Sequence, residues 1–183
     1  AARLLGQIRA PVHVVAGNHD LTDTSSRADI AAWTNQYGPL GATADYGGVR
    51  FVFVFTEGRF KKGPVAAFDA EAFLDRALRE AGSRPVLLFQ HSPWTDDFYG
   101  NALHPGWPDP ARSRWTARVR RGPVKAVVTG HCHRNELHWE GAVPVYVGEP
   151  LARFWGRQPA FRIYCWRDGR LAYRTWYWND AKK

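Results

Sequence analysis

Short blocks of apolar residues alternate with longer amphipathic stretches along this chain. Nearly continuous apolar runs, typical of buried strands, fall at residues 12–16, 49–55, 86–89, 124–129 and 143–147. Apolar positions three and four apart indicate helices at residues 28–37, 68–81 and 110–121, after a first segment, residues 1–9, that reads as the end of a helix. Strands that alternate with helices favour an α/β fold with a layered core.

Turn and loop signals divide the rest of the chain. Asp-Gly at residues 168–169 predicts a hairpin made of residues 161–166 and 171–176. Residues 57–64 are predicted to form a surface loop. The segment 91–110 is long, aromatic and rich in proline, and loops of that length inside a domain are usually lids or binding loops.

Three of the apolar runs end in loops that carry histidine. Gly-Asn-His-Asp stands at residues 17–20, Gln-His-Ser-Pro at 90–93, and Gly-His-Cys-His-Arg-Asn at 130–135. Because α/β sheets place their sites beyond the carboxyl ends of the strands, we expect these loops to form one site. Two imidazoles, those of His131 and His133, then make a pair of candidate metal ligands.

The order of these motifs resembles the calcineurin-like metallophosphoesterase superfamily, and the resemblance extends from residue 12 to about residue 147. The amino-acid sequence of residues 90–94 and 129–135 is most similar to that of a small single-domain branch that includes a protein serine/threonine phosphatase. The resemblance implies one calcineurin-like domain over residues 1–183. It also implies an α/β layered sandwich, in which two mixed β-sheets are flanked by helices.

The same resemblance implies a site for two divalent metal ions. Asn18, His91 and His131 would hold one ion, and His133 would help to hold the other. An amide oxygen with imidazoles suits Mn, Fe, Zn or Ni, and a hydroxide that bridges two such ions would attack a phosphomonoester or phosphodiester. Cys132, between two of these ligands, is expected to be a filler that points away from them, with sulfur ligation as the alternative.

His19 has a different implied role, because it would donate a proton to the departing alkoxide as a general acid. Asp20 would orient His19 and favour its charged form. The alternative for both residues is an Asx-type loop that only satisfies backbone groups.

The long loop supplies weaker candidates for substrate contacts. They are Trp94, Tyr99 and His104, and each could instead serve only to pack the loop.

Two further motifs of the superfamily, Asp-x-His and Gly-Asp-x-x-Asp, do not occur in this sequence. In the family they precede Gly-Asn-His-Asp and supply the carboxylate that bridges both metal ions. We therefore expect an N-terminally incomplete domain that lacks its first strands, as in a fragment of a longer protein. Such a piece should be inactive or nearly so by itself, and an uncovered apolar face should make it poorly soluble or oligomeric.

Charge adds to this interpretation. The chain has 25 Lys and Arg residues against 17 Asp and Glu residues, a net charge of +8, which favours anionic partners. A phosphorylated small molecule, a nucleotide or a phosphoprotein is the expected substrate. The basic residues are spread along the chain, however, so a solvated surface explains most of them.

Tryptophan and arginine are interleaved near the C-terminus, and there they could stack on single-stranded nucleic acid. A hairpin that packs aromatic side chains onto a core is the favoured explanation. The alternative function is therefore a non-catalytic module, derived from a phosphoesterase, that binds an anion or a nucleic acid. No apolar run approaches the roughly 20 residues that a membrane span requires.

Overall fold

The computed structural model describes residues 2–22, 24–57, 68–96, 100 and 104–178. Its helices are α1 (Ala2–Leu5), α2 (Arg27–Tyr37), α3 (Ala70–Ala81) and α4 (Ala111–Arg121). Its strands are β1 (Gly41–Tyr46), β2 (Val49–Val54), β3 (Val86–Phe89), β4 (Val124–Thr129), β5 (Glu136–Glu140), β6 (Val143–Val147), β7 (Ala160–Arg167) and β8 (Arg170–Tyr177). Each helix of the described residues is too short or too polar to cross a membrane.

Six strands form one mixed sheet in the order β1-β2-β3-β4-β6-β5. The central strands β2, β3, β4 and β6 are parallel, and β1 and β5 pair antiparallel at the two edges. The second sheet of the described residues is the antiparallel pair β7-β8. A mixed sheet was expected here, and this smaller sheet is purely antiparallel. The predicted α/β fold with two sheets is confirmed.

The large sheet lies between a layer of helices and the hairpin. On one face Leu74 of α3 and Trp115 of α4 pack against apolar strand residues such as Leu88. On the other face Leu87 packs in a cluster that includes Trp166 of β7. Because neighbouring residues of β3 point to opposite layers, both faces of this strand are buried, as its continuous apolar run predicts.

Local signals explain where the helices begin. Ser26 and Asp29 form a reciprocal capping box at the start of α2. Asp69 caps α3 by accepting hydrogen bonds from the backbone N–H groups of Glu71 and Ala72. Helix α4 has no side-chain cap, yet all three helices α2, α3 and α4 begin within two residues of the predicted positions.

One predicted strand is absent among the described residues, and one observed strand was not predicted. Residues 12–16 form no strand, although Val14 and Ala16 pack in an apolar cluster with Trp33. A strand requires a backbone partner as well as an apolar pattern, and the described residues provide none for this segment. Strand β5 was missed, because its charged and aromatic composition does not read as a strand; it forms as the antiparallel neighbour of β6.

Candidate functional site

The site is built on the carboxyl ends of two neighbouring parallel strands. His91 lies two residues beyond β3, and the Gly-His-Cys-His loop follows β4. The N–H of Gly130 donates a hydrogen bond of 2.8 Å to the carbonyl of His91, so the two loops are joined directly. His131 and His133 have φ values of 68° and 54°, and this left-handed backbone turns the loop tightly between the two imidazoles.

The side chain of Asn18 connects the first loop to the other two. Asn18 Oδ1 accepts hydrogen bonds from His91 Nε2 at 2.9 Å and from His131 Nδ1 at 3.2 Å. The imidazole centroids of His91 and His131 are 5.2 Å apart, and the two rings are nearly perpendicular. Side chains from three segments that are far apart in the sequence thus bring one oxygen atom and two nitrogen atoms together.

Gly17 makes this convergence possible. A Cβ atom on Gly17 would lie 2.8 Å from the imidazole of His91, closer than non-bonded atoms approach. The turn is held from the other side, because the N–H of Gly17 donates a 2.8 Å hydrogen bond to the carboxylate of Asp20. Glycine at this position lets the backbone pass directly against a candidate ligand.

Burial favours the neutral form of the three candidate ligands His91, His131 and His133. Burial lowers the pKa of His91 to about 4 and that of His131 to about 3, and charge on neighbouring histidines contributes in both cases. Burial also lowers the pKa of His133, and His104 and His19 add to the effect. Neutral imidazoles offer the lone pair that a metal ion binds.

The donor set fits a divalent cation, although it is incomplete. Among the described residues, no three His, Cys, Asp or Glu side chains are grouped as a complete set of ligands. The convergent groups are two imidazoles and one amide oxygen, and Asn18 Oδ1 lies 2.9 Å from His91 Nε2 and 3.2 Å from His131 Nδ1, close enough for all three residues to reach one ion. In addition, Nδ1 of His133 is buried without a hydrogen-bond partner, an arrangement typical of a ligand atom.

His19 lies at the exposed edge of this cluster, close enough for its charge to lower the pKa of His91, His131 and His133. Asp20 is also exposed, and its carboxylate accepts a hydrogen bond from the N–H of Gly17, as the Asx-type alternative describes. The pairing of Asp20 with His19 therefore stays a prediction.

The substrate candidates fall in three different environments. His104 is buried beside the cluster, with its ring 5.1 Å from that of His131 and 6.1 Å from that of His133. Trp94 is fully buried and donates a hydrogen bond to the hydroxyl of Thr116, which gives it a packing role. Tyr99 lies outside the described residues.

Sequence reasoning placed Glu57 in a surface loop, and this was wrong. Glu57 is buried, and its carboxylate accepts hydrogen bonds from the backbone N–H of Ser92 at 3.2 Å and from its hydroxyl at 2.8 Å. Burial raises the pKa of Glu57 to about 7. The sequence did carry a signal for a buried position here. Glu57 is a polar residue shortly after the buried strand β2, as His91 is after β3.

The 149–158 segment was also missed as part of the site. It places Phe154 with its ring centroid 4.1 Å from that of His133, and Trp155 at 5.2 Å. Arg157 donates a hydrogen bond to the carbonyl of His133 at 3.2 Å. Apolar side chains in a glycine-containing loop carry no sequence signal for this contact, which depends on how β6 and β7 are connected.

Two serine/threonine-protein phosphatases are similar to this chain in sequence. The chain is 29% identical to the serine/threonine-protein phosphatase CPPED1 of Bos taurus and 31% identical to that of Danio rerio, in alignments 136 positions long that cover 68% of this chain. The chain covers only 42% of the length of each of these relatives.

A crystal structure of a dimetal phosphatase from Danio rerio has a similar fold. The TM-score is 0.59 at 14% identity, and the match covers 89% of this chain and 68% of the other. The family model described as calcineurin-like phosphoesterase matches residues 1–135, which contain all three histidine-bearing loops. The predicted resemblance is thereby confirmed, and the chain belongs to the calcineurin-like phosphoesterase family.

Proposed function

We propose that this chain carries part of the site of a metal-dependent phosphoesterase that hydrolyses phosphomonoesters in preference to phosphodiesters. The convergence of Asn18, His91 and His131 on one point is the observation that carries the proposal. The preference for monoesters follows from the relatives, which are named serine/threonine-protein phosphatases.

Asn18, His91 and His131 would hold one divalent cation, and His133 would contribute to a second. When bound, such cations lower the pKa of water and stabilise negative charge on phosphoryl oxygens. The chain itself supplies ligands that need not lose a proton at neutral pH, because burial keeps the pKa of His91 at about 4 and that of His131 at about 3. Mn, Fe, Zn and Ni all suit this set of ligands.

His19 would complete the chemistry of the chain. Its imidazole is exposed at the edge of the cluster, where it can donate a proton to the oxygen of the departing alcohol. Asp20 holds the backbone that carries His19, through its hydrogen bond from the N–H of Gly17.

The 183-residue chain is expected to be a weak catalyst by itself. Its sequence contains neither Asp-x-His nor Gly-Asp-x-x-Asp, and the neutral ligands bring no negative charge to offset two dications. Binding of the first cation is therefore a more direct test than turnover.

Calorimetric titration with Mn²⁺ tests the ligand set. We expect Asn18→Ala and His131→Ala each to weaken Mn²⁺ binding about tenfold or more, because each removes a convergent donor. His13→Gln is the matched control, since His13 is exposed and hydrogen-bonded to Tyr46. Equal Mn²⁺ affinity in the parent chain and in both site variants would contradict the proposal.

Hydrolysis of nitrophenyl phosphate and of bis-nitrophenyl phosphate, measured in Mn²⁺, tests the substrate class. We expect the monoester to react faster, and the rate to fall in Asn18→Ala. Binding of phosphate-containing ligands that does not depend on metal would instead favour the non-catalytic module.

A further inference from the structure

An aromatic turn lies directly against the candidate metal site. Trp155 has its ring centroid 5.2 Å from that of His133 and 6.0 Å from that of His104. Phe154 packs edge-on against Trp155, with 4.9 Å between the ring centroids. Trp155 is nevertheless 59% exposed, so burial of apolar area does not explain its position.

The backbone of this turn is unusual for the residue that it carries. Trp155 has φ of 48° and Gly156 has φ of 74°, while the N–H of Arg157 donates a 2.9 Å hydrogen bond to the carbonyl of Phe154. A bulky residue in the left-handed region is strained, and such strain is concentrated at functional sites. Glycine at position 155 would adopt the same turn without strain.

The turn is fixed relative to the histidines. The guanidinium of Arg157 donates its hydrogen bond to the carbonyl of His133, so the turn and the ligand loop are tied by a direct contact. The indole of Trp155, which is largely exposed, is thus held close to the histidine cluster.

We infer that Trp155 is a stacking surface for an aromatic ring that the substrate carries close to its phosphate ester. The inference rests on the proposed function, because the phosphate must first bind at the histidine cluster. Aromatic rings attract each other at centroid separations of about 4.5–7 Å, so a ring joined to the phosphate through a short link can reach the indole. The same chemistry is offered by a simple aryl ester and by a nucleotide.

Binding of phosphonates, which the enzyme cannot hydrolyse, tests this inference. Titration calorimetry of the Mn²⁺-loaded chain would compare benzylphosphonate with propylphosphonate, which differ in the ring but share the anion. We expect benzylphosphonate to bind about tenfold more tightly, since stacking on an aromatic side chain contributes that much. The phosphonate analogue of adenosine monophosphate, which also resists hydrolysis, serves as a third ligand, and binding about tenfold tighter than that of propylphosphonate would assign the surface to nucleotides as well.

Two substitutions separate stacking from a structural role. In Trp155→Gly, the ratio of the affinities for benzylphosphonate and propylphosphonate should fall to about one. Its Tm should be unchanged or higher, because glycine relieves the strain of the left-handed backbone. Trp155→Phe should keep most of the preference, since it keeps a ring. Trp139→Ala is the matched control, because Trp139 is an exposed tryptophan on β5.

The possible failures can be told apart. Equal binding of benzylphosphonate and propylphosphonate by the parent chain would overturn the inference and leave the proposed function standing. A preference that survives Trp155→Gly would also overturn it. If neither phosphonate nor inorganic phosphate binds, the proposed phosphate site is wrong and the inference is wrong with it.

Discussion

Gly17 and His91 show how strongly single contacts shape this site. The imidazole of His91 occupies the space that a side chain at position 17 would need, and Asn18, the next residue, then directs its amide oxygen at the same ring. The motif could be identified in the sequence through its Asn and His residues. The reason for its glycine is a contact with a residue more than seventy positions away in the chain, which local sequence does not encode.

Gly17→Ala should therefore impair both the site and the fold. A Cβ atom would lie 2.8 Å from the ring of His91, and its displacement should weaken Mn²⁺ binding about tenfold and destabilise the chain by about 1–3 kcal/mol. Gly148→Ala is the control, since its Cβ would meet only Thr129 O at 3.6 Å. Mn²⁺ titration and urea unfolding measure both effects, and equal behaviour of the two variants would contradict the prediction.

Glu57 makes a separate prediction about pH. Its pKa is raised from 4.5 to about 7 by burial, so the folded chain keeps a proton that the unfolded chain loses between these values. The contribution of Glu57 to the free energy of unfolding is therefore greatest below pH 4.5 and falls as the pH rises to about 7. Glu57→Gln cannot lose this proton.

Urea unfolding of the parent chain and of Glu57→Gln at several pH values measures the effect. The free energy of unfolding of the parent should fall relative to that of Glu57→Gln by up to about 3 kcal/mol across this range. The comparison removes the opposing effect of the buried histidines, which both proteins share. Parallel curves for the two proteins would show that Glu57 does not titrate in this range.

At the scale of elements, the carboxyl ends of β3 and β4 decide where the chemistry lies. Their parallel pairing brings the His91 loop beside the Gly-His-Cys-His loop, and α3 and α4 cover the face of the sheet below. The helices could be predicted because capping and amphipathic patterns are local. The absence of a strand at residues 12–16 and the presence of β5 could not be predicted, because backbone pairing depends on distant partners.

Asp69 is expected to stabilise this supporting layer. Asp69→Ala removes the side chain that accepts hydrogen bonds from Glu71 and Ala72, and should lower the free energy of unfolding by about 1 kcal/mol. Asp69→Ser should retain most of that stability, because serine is also a good N-cap. Chemical denaturation of the three proteins gives the comparison, and a loss of the same size in both variants would point to a role other than capping.

At the scale of the whole molecule, the hairpin β7-β8 has two different faces. Tyr164, Trp166 and Leu171 pack against the large sheet, as the core interpretation predicts, whereas Trp155, Trp176 and Trp178 are exposed. Phe161 and Trp176 are paired across the strands, and both are exposed. Arg174 stacks over the Trp176 ring at 4.2 Å, so this outer face is both aromatic and basic.

Self-association of the isolated chain should depend on this outer face, because exposed apolar surface next to open strand edges favours contact between copies. The double variant Phe161→Thr and Trp176→Thr should shift sedimentation toward the monomer at high protein concentration. Trp139→Thr, an exposed tryptophan on β5, is the control. If Trp139→Thr has the larger effect, the contact lies at the edge of the large sheet instead.

Local patterns and the order of the motifs were enough to predict the family, the α/β class, the helices and the candidate ligands Asn18, His91, His131 and His133. The folded chain was needed to show that Gly17 passes against His91, that Glu57 is buried beside Ser92, and that Trp155 lies against the cluster. Each of these is a contact between segments distant in sequence, and its geometry follows from the packing of strands and loops around one sheet edge.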